Sequence, residues 1–483
     1  MKKEQFYEIL GEVNEKTVKA AEKPPVRQKK YKWVKYGVAA VACIAVFAGF
    51  GGWYMHSNMQ PSPYNDTANN TNNMVLAAAA YPEMPMYPDE NADEKSYQKW
   101  SNAKAALRNL PAEYKEEFDT FFLNSTQTFL SDTAADNRVY SPLSLYMALG
   151  MSAEISDGNT RQQILDVLEQ SNIDALRFRF KSIWNANYID DGMAKCVLAN
   201  SLWTNNDFSY TQSTLDSIAE NYYSSVFTGN PDSDEYNKLM QNWLNEQTDD
   251  LLSDYVSNIK MSPEMVLTLA STVNYSGKWN YKFSEELTKS GTFHSPTADV
   301  QCDFMNAENS TTYFWGDKFS SVSMELENNG QMKLILPDEG ISPEELILDD
   351  EAISYMTSIE YENSKYVTVN LSVPKFDVSS SIDLKDGLQK LGITDMFDSS
   401  KSDFSPLSEN AKGIMISKAE QDTRVIIDEE GCKASSLTIM AYDGAGMPED
   451  YIDFILDRPF IFEIISESGL PLFVGIVNNP AVN

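Results

Sequence analysis

The sequence predicts an α+β domain with antiparallel sheets. Helical periods cluster in the first half of the globular part, and strand-like runs crowd the second half. Apolar residues are 42% of the 483-residue chain and aromatics 12%, enough for a large core. The first helical run is Glu113–Leu130. The next, Ser144–Ser152, follows Ser141 and Pro142, a capping serine and a first-turn proline. Further helical periods cover Arg161–Glu169, Gln212–Tyr223 and Asp234–Tyr255. The strand-like runs are Met265–Tyr275, Ser320–Leu326, Met332–Leu336, Tyr366–Val373, Arg424–Ile427, Phe460–Ile465 and Leu472–Val477.

Upstream of the domain the chain changes character. Tyr36–Met55 is 20 residues without a charge, long enough to cross a bilayer. Trp33 and Tyr36 flank one end, Trp53 and Tyr54 the other, and Lys29, Lys30, Lys32 and Lys35 precede it. The positive-inside rule keeps such an N-terminus cytoplasmic and sends the rest outside. A cleaved secretory leader is the competing reading; it needs an unusually long charged N-region, with Ala77–Ala80 as its cleavage site. The expected organisation is a cytoplasmic segment 1–35, a membrane helix 36–55, a disordered tether 56–98 and a globular domain 99–483.

Charge and motifs exclude several functions. Residues 1–36 hold 10 basic and 5 acidic residues, leaving 28 basic and 66 acidic, a net of −38, for the remainder. A body that acidic repels phosphate backbones, so nucleic acid is not its partner. Of the four cysteines, Cys43 falls in the apolar run, and Cys196, Cys302 and Cys432 form no CxxC pair. There are two histidines, His56 beside the apolar run and His294 at a strand end. No GxSxG, HExxH, GxxxxGK[ST] or GxGxxG motif occurs. The sequence therefore points to no enzyme, cofactor or metal.

Several segments, in order, resemble the serpin family from about residue 110 to the end. They are NRVYSPLSLYMALGMSAEISDGNTRQQI (137–164), LANSLWTNN (198–206), NYSGKWNYKF (274–283), VPKFDVSSSIDLKDGLQKLGITDMF (373–397), VIIDEEGCKAS (425–435), and the closing DRPFIFEI and PLFVGIVNNP. The resemblance implies a main five-stranded sheet with a gap, two further sheets, eight or nine helices and an exposed reactive loop. It implies a suicide inhibitor: a serine protease cuts the loop, forms its acyl-enzyme, and is dragged along as the loop inserts into the sheet. It also assigns residues. Gly431, Cys432, Lys433, Ala434, Ser435 and Ser436 form the hinge. Glu429, Lys375 and Trp279 form the breach at the top of the sheet. Ser141, Ser144, Ser271 and Gln421 form the mid-sheet shutter. Ser271 and Gln421 stand where the family usually has asparagine and histidine, so this shutter has no proton to gain.

The residues fit that assignment physically. Cys432, Ala434, Ser436 and Thr438 alternate and are small and uncharged, as the inward face of a new central strand requires. No proline interrupts Gly431–Met447. Family spacing from Gly431 puts the scissile bond at Ala445–Gly446; counting back from Pro459 moves it towards Pro448, with Met447 and Tyr442 as alternatives. No basic residue lies between Lys433 and Arg458, so the expected partner is an extracellular elastase-like or subtilisin-like protease in a covalent 1:1 complex. The alternative is a non-inhibitory serpin acting as a tethered binding module.

Overall fold

The computed structural model describes residues 59–61, 74–82, 84–88, 92–107, 114–191, 195–326, 330–358, 361–411, 413–432 and 450–482. The apolar run 36–55 lies outside them, and among the described residues no helix is long and apolar enough to cross a membrane. Three short strands come first: β1 (Met59–Pro61), β2 (Val75–Ala77) and β3 (Ala80–Pro82). They precede α1 (Glu94–Leu107). A helical block follows: α2 (Tyr114–Leu130), β4 (Arg138–Tyr140), α3 (Pro142–Glu154), α4 (Gly158–Val167) and α5 (Ile173–Asn187). Then come β5 (Ile189–Asp190), β6 (Lys195–Asn205), α6 (Gln212–Asn221), β7 (Ser224–Gly229), α7 (Asp234–Gln247), α8 (Ser253–Val256) and β8 (Leu267–Lys278). The strand-rich remainder runs β9 (Lys289–His294), β10 (Asp299–Trp315), β11 (Phe319–Glu325), β12 (Gln331–Pro337), α9 (Pro343–Ile347), α10 (Asp350–Thr357), β13 (Ser364–Pro374) and β14 (Phe376–Asp383). It closes with α11 (Lys385–Leu391), β15 (Glu420–Ile427), β16 (Gly431–Cys432), β17 (Tyr451–Ile455), β18 (Phe460–Ile465) and β19 (Pro471–Val477).

The five strands β7, β6, β8, β15 and β14 make the main sheet, but not as one ladder. β8, β6 and β7 pair in that order, β14 pairs with β15, and no ladder joins β8 to β15. The two further sheets expected are one: β17-β13-β10-β11-β12-β18-β19-β4, with β9 on β10. The long β10 joins them, pairing with β13 through Phe304–Phe314 and with β11 through Tyr313–Trp315. Among the described residues eleven α-helical segments exceed the eight or nine that the resemblance implies; single-turn α8 and α9 and upstream α1 are among them.

Burial follows from composition. β6 is covered on both faces: Leu198 and Leu202 join the main core, Ala199 and Trp203 the second core under α7. α3 is mostly apolar and buried along its length except at Ala148, beneath the main sheet. The single helix expected over Asp234–Tyr255 breaks after Gln247, where Asp249 and Asp250 take φ of 48° and 59°.

The tether expectation fails for part of 56–98. β2 adds to the outer edge of β7, and Thr228 N donates to Met74 O at 2.7 Å. Tyr81 stacks at 5.4 Å from Trp184 and 5.9 Å from Tyr188, and Ala79 is buried. Further on, Tyr87 N donates to Asp191 O at 2.9 Å and its ring meets Trp100 edge-on. Backbone pairing and one aromatic anchor fix this strap, so it needs no apolar period.

Candidate functional site

The break between β8 and β15 opens a narrow cleft of about 70 Å³, lined by both strands and by Ser141 and Ser144 below. Its floor is the start of α3. Ser141 caps the helix, its Oγ accepting from Ser144 N at 3.1 Å. Ser141 N donates to Gln421 Oε1 at 2.8 Å, and Gln421 Nε2 donates to Ser141 O at 3.0 Å. Ser144 Oγ donates to Ser271 O at 3.0 Å. One helix terminus thus holds both halves of the sheet, β15 through an amide and β8 through a carbonyl. Ser271 enters by its backbone; its own hydroxyl is buried in the cleft wall without a partner.

A second bridge crosses the cleft and was not foreseen from sequence. After the break in α7, Asp249 Oδ2 accepts from Asn274 Nδ2 of β8 at 2.8 Å. Leu251 O accepts from Arg424 of β15 at 3.2 Å, and Arg424 forks onto Asp377 of β14. Tyr255 Oη then donates to Ser379 Oγ of β14 at 2.8 Å.

The halves meet at the top of the sheet. Trp279 N donates to Glu430 O and Phe283 N to Glu429 O, both at 3.2 Å. Trp279 is buried, and its indole N–H donates to Asp428 O at 2.9 Å. Lys375 Nζ lies 2.8 Å from Glu429 Oε2, and Thr288, which sequence reasoning missed, donates to Glu429 Oε1. Burial alone would raise the Glu429 pKa, but the bond from Lys375 and further hydrogen bonds hold it below the ordinary glutamate value. The same bond raises Lys375.

Gly431 and Cys432 already sit in the cleft mouth, antiparallel to β8, with Gly431 opposite Lys278 and Cys432 opposite Gly277. Gly431 has φ +130°, and a Cβ there would lie 2.6 Å from Gly277 O, so only glycine fits. Lys433, Ala434, Ser435 and Ser436, and the bond candidates Tyr442, Ala445, Gly446 and Met447, lie outside the described residues. His294 ends β9, exposed, with Nδ1 2.8 Å from Asp299 Oδ1.

Comparison with known proteins decides the family. A model described as "Serpin (serine protease inhibitor)" matches residues 116–480. The chain belongs to the serpin family. It is 29% identical over 360 residues to a serine protease inhibitor of Cyanea capillata, covering 72% of this chain and 93% of that one. It is 27% identical over 375 residues to the human leukocyte elastase inhibitor, covering 74% and 97%. The solved native structure of the thermophilic serpin tengpin matches with a TM-score of 0.67 and 26% identity, over 85% of this chain and 99% of that one. In this serpin Lys375 and Glu429 are paired at the top of the sheet, and Gln421 bonds the capped start of α3.

Proposed function

We propose that this serpin is a covalent trap for an elastase-like or subtilisin-like serine protease. The observation that carries the reading is the open cleft with Gly431 and Cys432 already in register on β8. Continued along that ladder, Ala434 falls opposite Tyr275, Ser436 opposite Val273 and Thr438 opposite Ser271. Tyr275 and Val273 pack on the main core, so the small side chains face inward. Thr438 reaches the unpartnered Ser271 hydroxyl. The protease serine attacks the Ala445 carbonyl, the peptide bond to Gly446 breaks, and Gly446 leaves as a protonated amine. Insertion then carries the ester-linked protease away before water can release it. The elastase-like preference is supported by the lack of basic residues from 434 to 457 and by the relative that inhibits leukocyte elastase. The domain is proposed to stand outside the cell on the helix 36–55; protease shaving of intact cells should release it, and release only after permeabilisation sinks that orientation. For the trap, incubation with a protease panel should give a 1:1 band that survives SDS. A loop that is cut with no such band would favour the non-inhibitory alternative.

A further inference from the structure

Beyond the reactive loop the chain rejoins the fold at Asp450 and runs as β17 parallel to β13, with Thr368 opposite Tyr451, Asn370 opposite Asp453 and Ser372 opposite Ile455. β10 lies on the other side of β13, with Thr312 opposite Tyr366 and Glu308 opposite Asn370. Side chains alternate across a strand, so these residues share one face, while Val367, Val369 and Leu371 fill the core on the other. On the shared face Tyr366, Tyr451 and Ile455 are 57%, 64% and 43% exposed. One exposed aromatic is ordinary; three large apolar side chains on adjacent strands of one face form a patch. Its border is acidic. Glu308 and Asp453 are exposed, and the nearby Lys365 is held by Asp450.

We infer that this face docks the body of the protease that cuts the loop, through a surface beside the protease cleft carrying apolar and basic side chains. The inference rests on the trap reading. The expected bond after Ala445 is six residues from Tyr451, at most about 20 Å of chain. A domain of about 220 residues has a radius of gyration near 17 Å, so a protease seated on that bond covers the ground around Tyr451. Aromatic anchors supply binding energy there, and the acidic border speeds encounter with a cationic partner.

The test is the association rate of the full chain with a protease it traps. Tyr366→Ala with Tyr451→Ala should slow association about tenfold, the effect of losing roughly 1.4 kcal/mol at a contact. The share of cut chains that become covalent complexes should not change, because insertion is untouched. Asp453→Lys should slow association further at low salt than at high salt. Phe178→Ala, equally exposed on α5, should change nothing. An unchanged rate in both face variants overturns the inference. If the unaltered chain forms no covalent complex, the trap reading fails instead; the rate of loop cleavage then reads the same face, and equal rates in variant and parent overturn it.

Discussion

Replacing Ala434 with arginine should turn the inhibitor into a substrate. In the register set by Gly431 and Cys432, residue 434 enters opposite Tyr275, whose partner on β6 is Cys196. That side of the sheet joins the main core, where Leu198 and Leu202 have no exposure. A guanidinium there is buried without a counter-charge, at a cost of about 4 kcal/mol by analogy with broken buried pairs. If half of that cost is felt at the insertion barrier, insertion slows by roughly 30-fold. Deacylation does not slow, so it overtakes insertion. The assay is titration of a trapped protease with variant and parent, reading SDS-resistant complex against cleaved chain. Ala434→Ser should keep the parent ratio. Undiminished complex formation by the arginine variant would refute the insertion register.

Glu429→Lys should set two cations together at the top of the sheet and promote polymers or premature insertion, read by native gels after mild heating; a monomeric, fully active variant counts against the pairing. The pH dependence has a definite sign. The depressed Glu429 contributes stability above its ordinary value, which is lost as the pH falls through the folded value. Loosening is therefore expected in acid and not between pH 6 and 8, since Gln421 holds no titrating proton; a transition near neutral pH would contradict this. Tyr81→Ala should destabilise the uncleaved chain by about 2 kcal/mol, less than a fully buried aromatic, seen as a lower denaturant midpoint. Cutting the loop should raise the melting temperature, because the inserted strand completes the broken ladder; an unchanged midpoint after cleavage would argue against insertion.

What was legible in the sequence was what side chains encode. The Ser-Pro start of α3, the Glu429–Lys375 pair and Trp279 are side-chain features: Ser141 caps α3, Lys375 lies 2.8 Å from Glu429, and Trp279 is buried. Backbone features left little trace. Ser271 contributes a carbonyl, which every residue has. The β2 strap binds a sheet edge by main-chain pairing, and its short run has no period to detect. α5 did carry a signal that was overlooked, Asn172 capping Asp174 N and Ala175 N. The break after Gln247 rests on two aspartates in a left-handed conformation that aspartate tolerates better than most residues.

Mass spectrometry of the products formed with elastase tests the central claim most directly. The account predicts a released peptide beginning at Gly446 and ending at Asn483, together with a species in which the protease serine is esterified to Ala445. A peptide starting outside 443–448 would contradict the register, and complete cleavage with no esterified protease would contradict the trap.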